Sequence, residues 1–214
     1  LMVHPDLPFV AEPLRGRYVA HIRIAHTGSA LEGRKLVAPL KAVAPRLTDS
    51  LRDMPYTAAG SVFEDPVHPH GYAGDNVLLS SLDPADLRAV VDIAGPQAPV
   101  MCVVDLRHLG GALTRPQGAP NAIGHRDAAY ILRVLSPVGP WQLDEVVPAH
   151  EKLLTAVAPR VTGSSGNFVY GAGRPVPRHR MPTLYDPGVH ERLTRLKALH
   201  DPDNTFRVNH NIQP

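Results

Sequence analysis

The side chain with the most chemistry to account for is Arg133, a guanidinium inside the otherwise apolar run Tyr130-Ile131-Leu132-Arg133-Val134-Leu135. A charge left unpaired among apolar neighbours is costly, so Arg133 must meet a carboxylate, a bound substrate or water. It stays protonated at neutral pH and therefore clamps an acidic or carbonyl group rather than taking a proton. Two partners follow from position. Tyr130 lies on the opposite side of the same strand by simple alternation, where an aromatic residue is ordinarily core. His125, beside Arg126 at the entrance to the run, either reaches a pocket or supports the strand end. Arg133, Tyr130 and His125 are the candidate substrate-binding residues.

Other reactive residues carry weaker signals. His68 and His70 have the spacing of a surface metal pair, but no further ligand cluster follows as a structural zinc site requires, so no metal is expected. The single cysteine, Cys102, lies in Val100-Met101-Cys102-Val103-Val104 and reads as a small core residue, not a thiolate nucleophile. Gly163 to Gly166 lacks the preceding strand and following helix of a phosphate cradle and is expected to be a turn. No serine, histidine and acid follow an elbow motif, so hydrolase chemistry has no support. Asp201, Asp203 and Asn204 read as a helix-ending turn whose side chains serve nearby backbone donors.

The chain that must position these residues has an ordinary globular composition, 43% hydrophobic and 20% charged over 214 residues, which favours one generous core. Twenty-three prolines predict many connections between short elements. A net charge of +2 from interspersed acids and bases gathers neither phosphate backbones nor anionic lipids, so neither nucleic acid nor membrane is expected as a partner. With no leader-like start, a cytoplasmic location is the default expectation.

Alternation predicts a half-buried strand from Arg17 to His26, and Ser29 with Glu32 predicts a capping box opening a helix kinked near Pro39. That helix should bury Leu36, Leu40 and Val43 and run to Pro45. Residues 47–63 admit a short strand into Met54 and Pro55, then a helical turn through Ala58, Ala59 and Val62. Strands are expected at Asp75–Leu82, Val100–Arg107 and Ala128–Ser136, the last two central, with a short one at Phe168–Tyr170. Helices are expected from Pro84 to Gly95, from about Ala149 to Ala158, and at Val189–His200 with Val189, Leu193, Leu196 and Leu199 inward. Residues 171–183 read as a solvated loop. The sum is an α+β fold, a mostly antiparallel sheet with helices packed on one face.

Three segments are more specific than these patterns demand: His26-Thr-Gly-Ser-Ala-Leu-Glu-Gly33 with Ala38-Pro39-Leu40; Leu109-Gly110-Gly111-Ala112 with Asn121-Ala-Ile-Gly-His125-Arg126-Asp127-Ala128-Ala129-Tyr130; and His200-Asp201-Pro202-Asp203-Asn204-Thr205-Phe206-Arg207-Val208-Asn209-His210-Asn211-Ile212. In this order, with Met54-Pro55-Tyr56 and Asn167-Phe168 between them, they resemble the substrate domain and closing tail of berberine bridge enzyme-like FAD-linked oxidoreductases of the vanillyl-alcohol oxidase superfamily. The third match is the most detailed.

The resemblance implies a substrate-binding domain over residues 1–180, incomplete at its start, followed by a helix and tail over 181–214. FAD would be held by a domain this chain lacks, so the chain alone is expected to bind little flavin and to be catalytically silent. The substrate would be a small organic molecule oxidised over the flavin ring. In plant relatives an acidic residue near the position of Arg133 can act as base, a role arginine cannot fill. Asn209 and Asn211, by the same resemblance, would hydrogen-bond the flavin or its loop, against the alternative that they cap the chain end on its own backbone. The rival from another class is a stand-alone, non-catalytic α+β binding module, forming a homodimer through the face the flavin domain would otherwise cover.

Overall fold

The computed structural model describes residues 1–63, 71–116, 118–119, 121–139, 143–171 and 177–214. His68 and His70 lie outside the described residues, as does part of the loop expected over 171–183. The chain divides into two compact units, one built on residues 3–69 and one on residues 70–214.

In the first unit the expected ten-residue strand is reduced to a ribbon in which β1 (Met2–Val3) pairs with β2 (Tyr18–Val19). Alternation alone does not keep a backbone extended; a ladder does, and β1 supplies only two residues of it. Past Val19 the apolar positions turn outward, with Ile22 62% exposed. Helix α1 (Ala30–Lys41) opens where Ser29 Oγ accepts the Glu32 N–H at 3.3 Å, and it carries Pro39 inside its last turn. The expected box is half made, because the Glu32 carboxylate sits 3.6 Å from His26 Nε2. The buried stripe also differs. Val37 is buried while Leu36, Leu40 and Val43 are exposed, so the helix is rotated by about one residue from the expected orientation. Residues Tyr56–Val62 form 3-10 turns, and no strand precedes them.

The second unit is a five-stranded antiparallel sheet with two of its helices packed on one face. Its elements are β3 (Tyr72–Leu79), α2 (Pro84–Ala94), β4 (Val103–His108), β5 (Tyr130–Pro137), α3 (Leu143–Ala156), β6 (Val161–Gly163), β7 (Tyr170–Gly171) and α4 (Val189–His200). The order is β4-β5-β3-β6, with β7 also on β3. Thus β5 and β3 are the inner strands and β4, expected to be central, is an edge. β3 starts three residues earlier than its alternation suggested and stops at Leu79, because Ser80 turns its N–H to Arg160 O and Asp83 then caps α2. Asp83 accepts from the Ala85 and Asp86 amides while Asp86 answers its N–H, a reciprocal cap that holds the Pro84 start.

α3 begins six residues before the expected start. It carries Pro148 internally. Its Val146, His150 and Leu153 recur at helical spacing and are buried. They face the sheet side of Val77, Leu79, Leu132, Val134 and Ser136, with α2 supplying Val90 and Ala94. Leu79, Leu132 and Leu153 are fully enclosed, each worth about 2 kcal/mol of apolar transfer. α4 has the expected bounds, yet Leu196 and Leu199 are exposed; Val189 and Leu193 are half-buried. No helix among the described residues is long and apolar enough to cross a membrane.

Candidate functional site

The sheet face away from α2 and α3 carries Asp105, Arg107 and Arg133. Cross-strand register places Asn76, Arg133 and Asp105 in one row across β3, β5 and β4, and alternation puts Leu78, Ile131, Leu135 and Arg107 on that same side. The segment between β6 and β7 runs over this face, held by a two-point clamp. Asn76 Nδ2 donates to Ser165 O at 2.9 Å, and Ser165 N–H donates to Asn76 Oδ1 at 2.8 Å. Tyr170 lies over Gly74 so closely that any Cβ there would enter its ring. Gly163 to Gly166 is therefore partly strand and partly a clamped turn. Asn76→Ala should cost about 2 kcal/mol, two net hydrogen bonds at a site with no solvent to replace them, seen as a lower urea midpoint.

Fixing that segment delivers Phe168 to the two arginines. Its ring centroid is 5.0 Å from the Arg133 guanidinium carbon and 5.3 Å from that of Arg107. Asp105 is shared unequally: Arg107 donates to Asp105 Oδ2 from Nε at 2.9 Å and Nη2 at 2.8 Å, whereas Arg133 Nε is 3.8 Å from it. Arg133 is 20% exposed, and its buried Nε–H has no hydrogen-bond partner among the described residues. Asp105 thus pairs structurally with Arg107 and leaves Arg133 with an ion-pair contact and a ring, but hydrogen-bonding capacity to spare.

The other candidates are placed elsewhere. Tyr130 is half-buried on the helix-side face and stacks on His108 with ring centroids 5.1 Å apart, so it does not join Arg133. His125 has φ 55°, donates its backbone N–H to Asp186 Oδ1 at 2.7 Å, and sets Nε2 3.0 Å from Thr183 O with its ring against Gly163. These contacts fasten the strand entrance to the segment before α4. Asp105, Arg107 and Asn76 were missed as site residues, although Asp105 and Arg107, two apart in a strand, must share a face.

The tail folds back on its own unit. Asp201 ends α4 by accepting the Thr205 and Phe206 amides at 2.7 and 3.1 Å while pairing with Lys197, the local turn expected of it. Those bonds hold its carboxyl below the usual range, the Lys197 hydrogen bond contributing most. Ile212 and Tyr185 pack on Val169, Met181 and Leu184. His210 Nε2 lies 2.8 Å from Gly166 O. Asn209 sits exposed at φ 60°, its carbonyl accepting the Asn211 amide at 3.0 Å. Asn211 Oδ1 and His210 Nδ1 are buried without a partner among the described residues.

In Rossmann-type sites a glycine turn opens an α-helix N-terminus onto the dinucleotide's pyrophosphate. Gly110 and Gly111, at φ 147° and 55°, lead only into the single 3-10 turn Gly111–Thr114, and the α2 N-terminus is already closed by Asp83. Neither feature of the described residues forms a cradle of that kind.

No family model matches the chain, and no curated protein sequence matches it. Solved structures do. The chain is similar to the xylooligosaccharide oxidase of Myceliophthora thermophila C1 in complex with xylobiose, at 16% identity and a TM-score of 0.66 over 87% of this chain and 44% of that one. It is similar to 6-hydroxy-D-nicotine oxidase from Arthrobacter nicotinovorans at 22% identity and 0.62, over 88% and 43%. A berberine bridge enzyme variant aligns at 14% identity and 0.52, over 69% and 34%. The likeness shows the fold, shared with part of each of these oxidases, and the chain spans less than half the length of these structures.

Proposed function

We propose, from the fold shared with berberine bridge-type oxidases, that this chain is the substrate-binding portion of an FAD-dependent oxidoreductase acting on a small organic molecule. The observation that carries the reading is Arg133. It is a guanidinium fixed in an inner strand by Phe168 and only loosely engaged by Asp105, on the sheet face away from α2 and α3. Bound flavin would supply the hydride acceptor. This chain's residues bind and orient the substrate: Arg133 donates to an oxygen of it, Asp105 holds Arg107 beside it, and the clamped turn keeps Phe168 from swinging away. FAD is held by another segment, with Asn211 and His210 meeting its edge, because the described residues lack a pyrophosphate cradle.

In the assembled flavoprotein, Arg133→Met should lower kcat/KM for flavin reduction roughly tenfold or more, a loss of about 1.4 kcal/mol per decade. The substrate for this assay is whichever member of an alcohol, amine and sugar panel reduces the wild-type flavin fastest. Unchanged kcat and KM would remove Arg133 from the site.

A further inference from the structure

We propose that the Arg133 face takes a substrate bearing a carboxylate, which Arg133 grips as a planar fork. The inference deepens the reading of this face as the substrate wall and rests on it. Among the described residues two arginines and one acid occupy the patch, and because Arg107 makes both short contacts to Asp105, Arg133 is the arginine that Asp105 engages less. A neutral hydroxyl would meet one donor of that guanidinium. A carboxylate meets two in parallel, and such charge-assisted bonds are the stronger kind. Phe168 under the guanidinium holds the fork's plane fixed, so little side-chain freedom is lost on binding. Nε is enclosed while the side chain is 20% exposed, so the fork that a carboxylate on this face would meet is the pair of Nη groups at the guanidinium's open end. Other arginine–carboxylate pairs among the unit's described residues, Arg180 with Asp75 on the helix-side face and Arg160 with Asp83 and Asp86 at the start of α2, do not compensate the Arg133 charge.

The test uses the purified chain and two probes alike except at C6, sodium glucuronate and glucose, titrated by calorimetry at low ionic strength. Glucuronate should bind about tenfold or more tightly than glucose, and the preference should shrink as salt is added. Arg133→Met should abolish it, while Arg195→Met, a charge removed from the exposed side of α4, should leave it intact. Arg133→Lys keeps the charge without the fork and should retain only part of the preference; it also serves if the methionine variant fails to fold. Equal binding of the two probes, no binding of glucuronate, or a preference that survives in Arg133→Met overturns the inference. Should the chain ignore glucuronate yet still complete a flavin enzyme, the substrate class falls and the flavoprotein reading stands. Glucuronate selectivity without any flavin enzyme would do the reverse.

Discussion

Arg180→Met should lower the unfolding free energy of the chain by about 3 kcal/mol, measured by urea denaturation at neutral pH. Arg180 reaches from the 3-10 segment before α4 to β3, donating to both Asp75 carboxylate oxygens at 2.5 and 2.8 Å, with the two side chains only 26% and 18% exposed. The hydrogen bond to Asp75 is the main reason the guanidinium is held even more firmly protonated than usual. Methionine fills a similar volume but leaves the carboxylate without its counterion and with the Asn76 backbone amide as its remaining donor among the described residues, and a half-desolvated charge left so unbalanced is what makes such truncations expensive. Asp75→Asn combined with Arg180→Met should therefore cost less than the sum of the two single changes. A loss below about 1 kcal/mol for Arg180→Met would mean that solvent screens the pair as it does at an open surface.

Acid should destabilise the fold through His150. Its Nε2 lies 2.8 Å from Ser136 Oγ in the layer between α3 and the sheet, and burial pushes its pKa down from 6.5 to about 4, against a smaller upward pull from Asp75. The folded core accepts the neutral ring, so the unfolded chain binds the proton first and stability falls as pH drops below 6.5. The loss is complete below about 4, and amounts to about 3 kcal/mol at 1.36 kcal/mol per unit. Urea midpoints between pH 7 and 4 should drop steeply for the wild type and more gently for His150→Gln, which keeps a polar partner for Ser136 without an ionisable ring. Parallel curves for the two proteins would show that other groups carry the acid sensitivity.

The strands and helices of the second unit were readable because each carries its own punctuation: Pro84 and Gly95 around α2, alternation through Leu132 and Val134, and Pro202 after α4. Where long-range pairing decides, the reading drifted. Arg17 to His26 alternates as well as any strand but has a two-residue partner, and β4 matches an inner strand in composition yet lies at the edge. The rotation of α1 that buries Val37 instead of Leu36 is set by packing, which periodicity fixes only to about one residue. Arg133 was found because a charge in an apolar run is conspicuous. Its neighbours Asp105 and Phe168 were not, since register and a clamped turn 60 residues away along the chain from Asp105 bring them together.

The proposal that the chain sits over a flavin held elsewhere is tested most directly by visible absorbance of two purified products. One is residues 1–214 alone; the other is the same chain made together with the coding sequence that precedes it in frame. The flavin spectrum should accompany the longer product and be absent from the shorter, and a substrate should bleach it without oxygen. A stop codon directly upstream, a colourless longer product, or stoichiometric flavin on residues 1–214 by themselves would contradict the account.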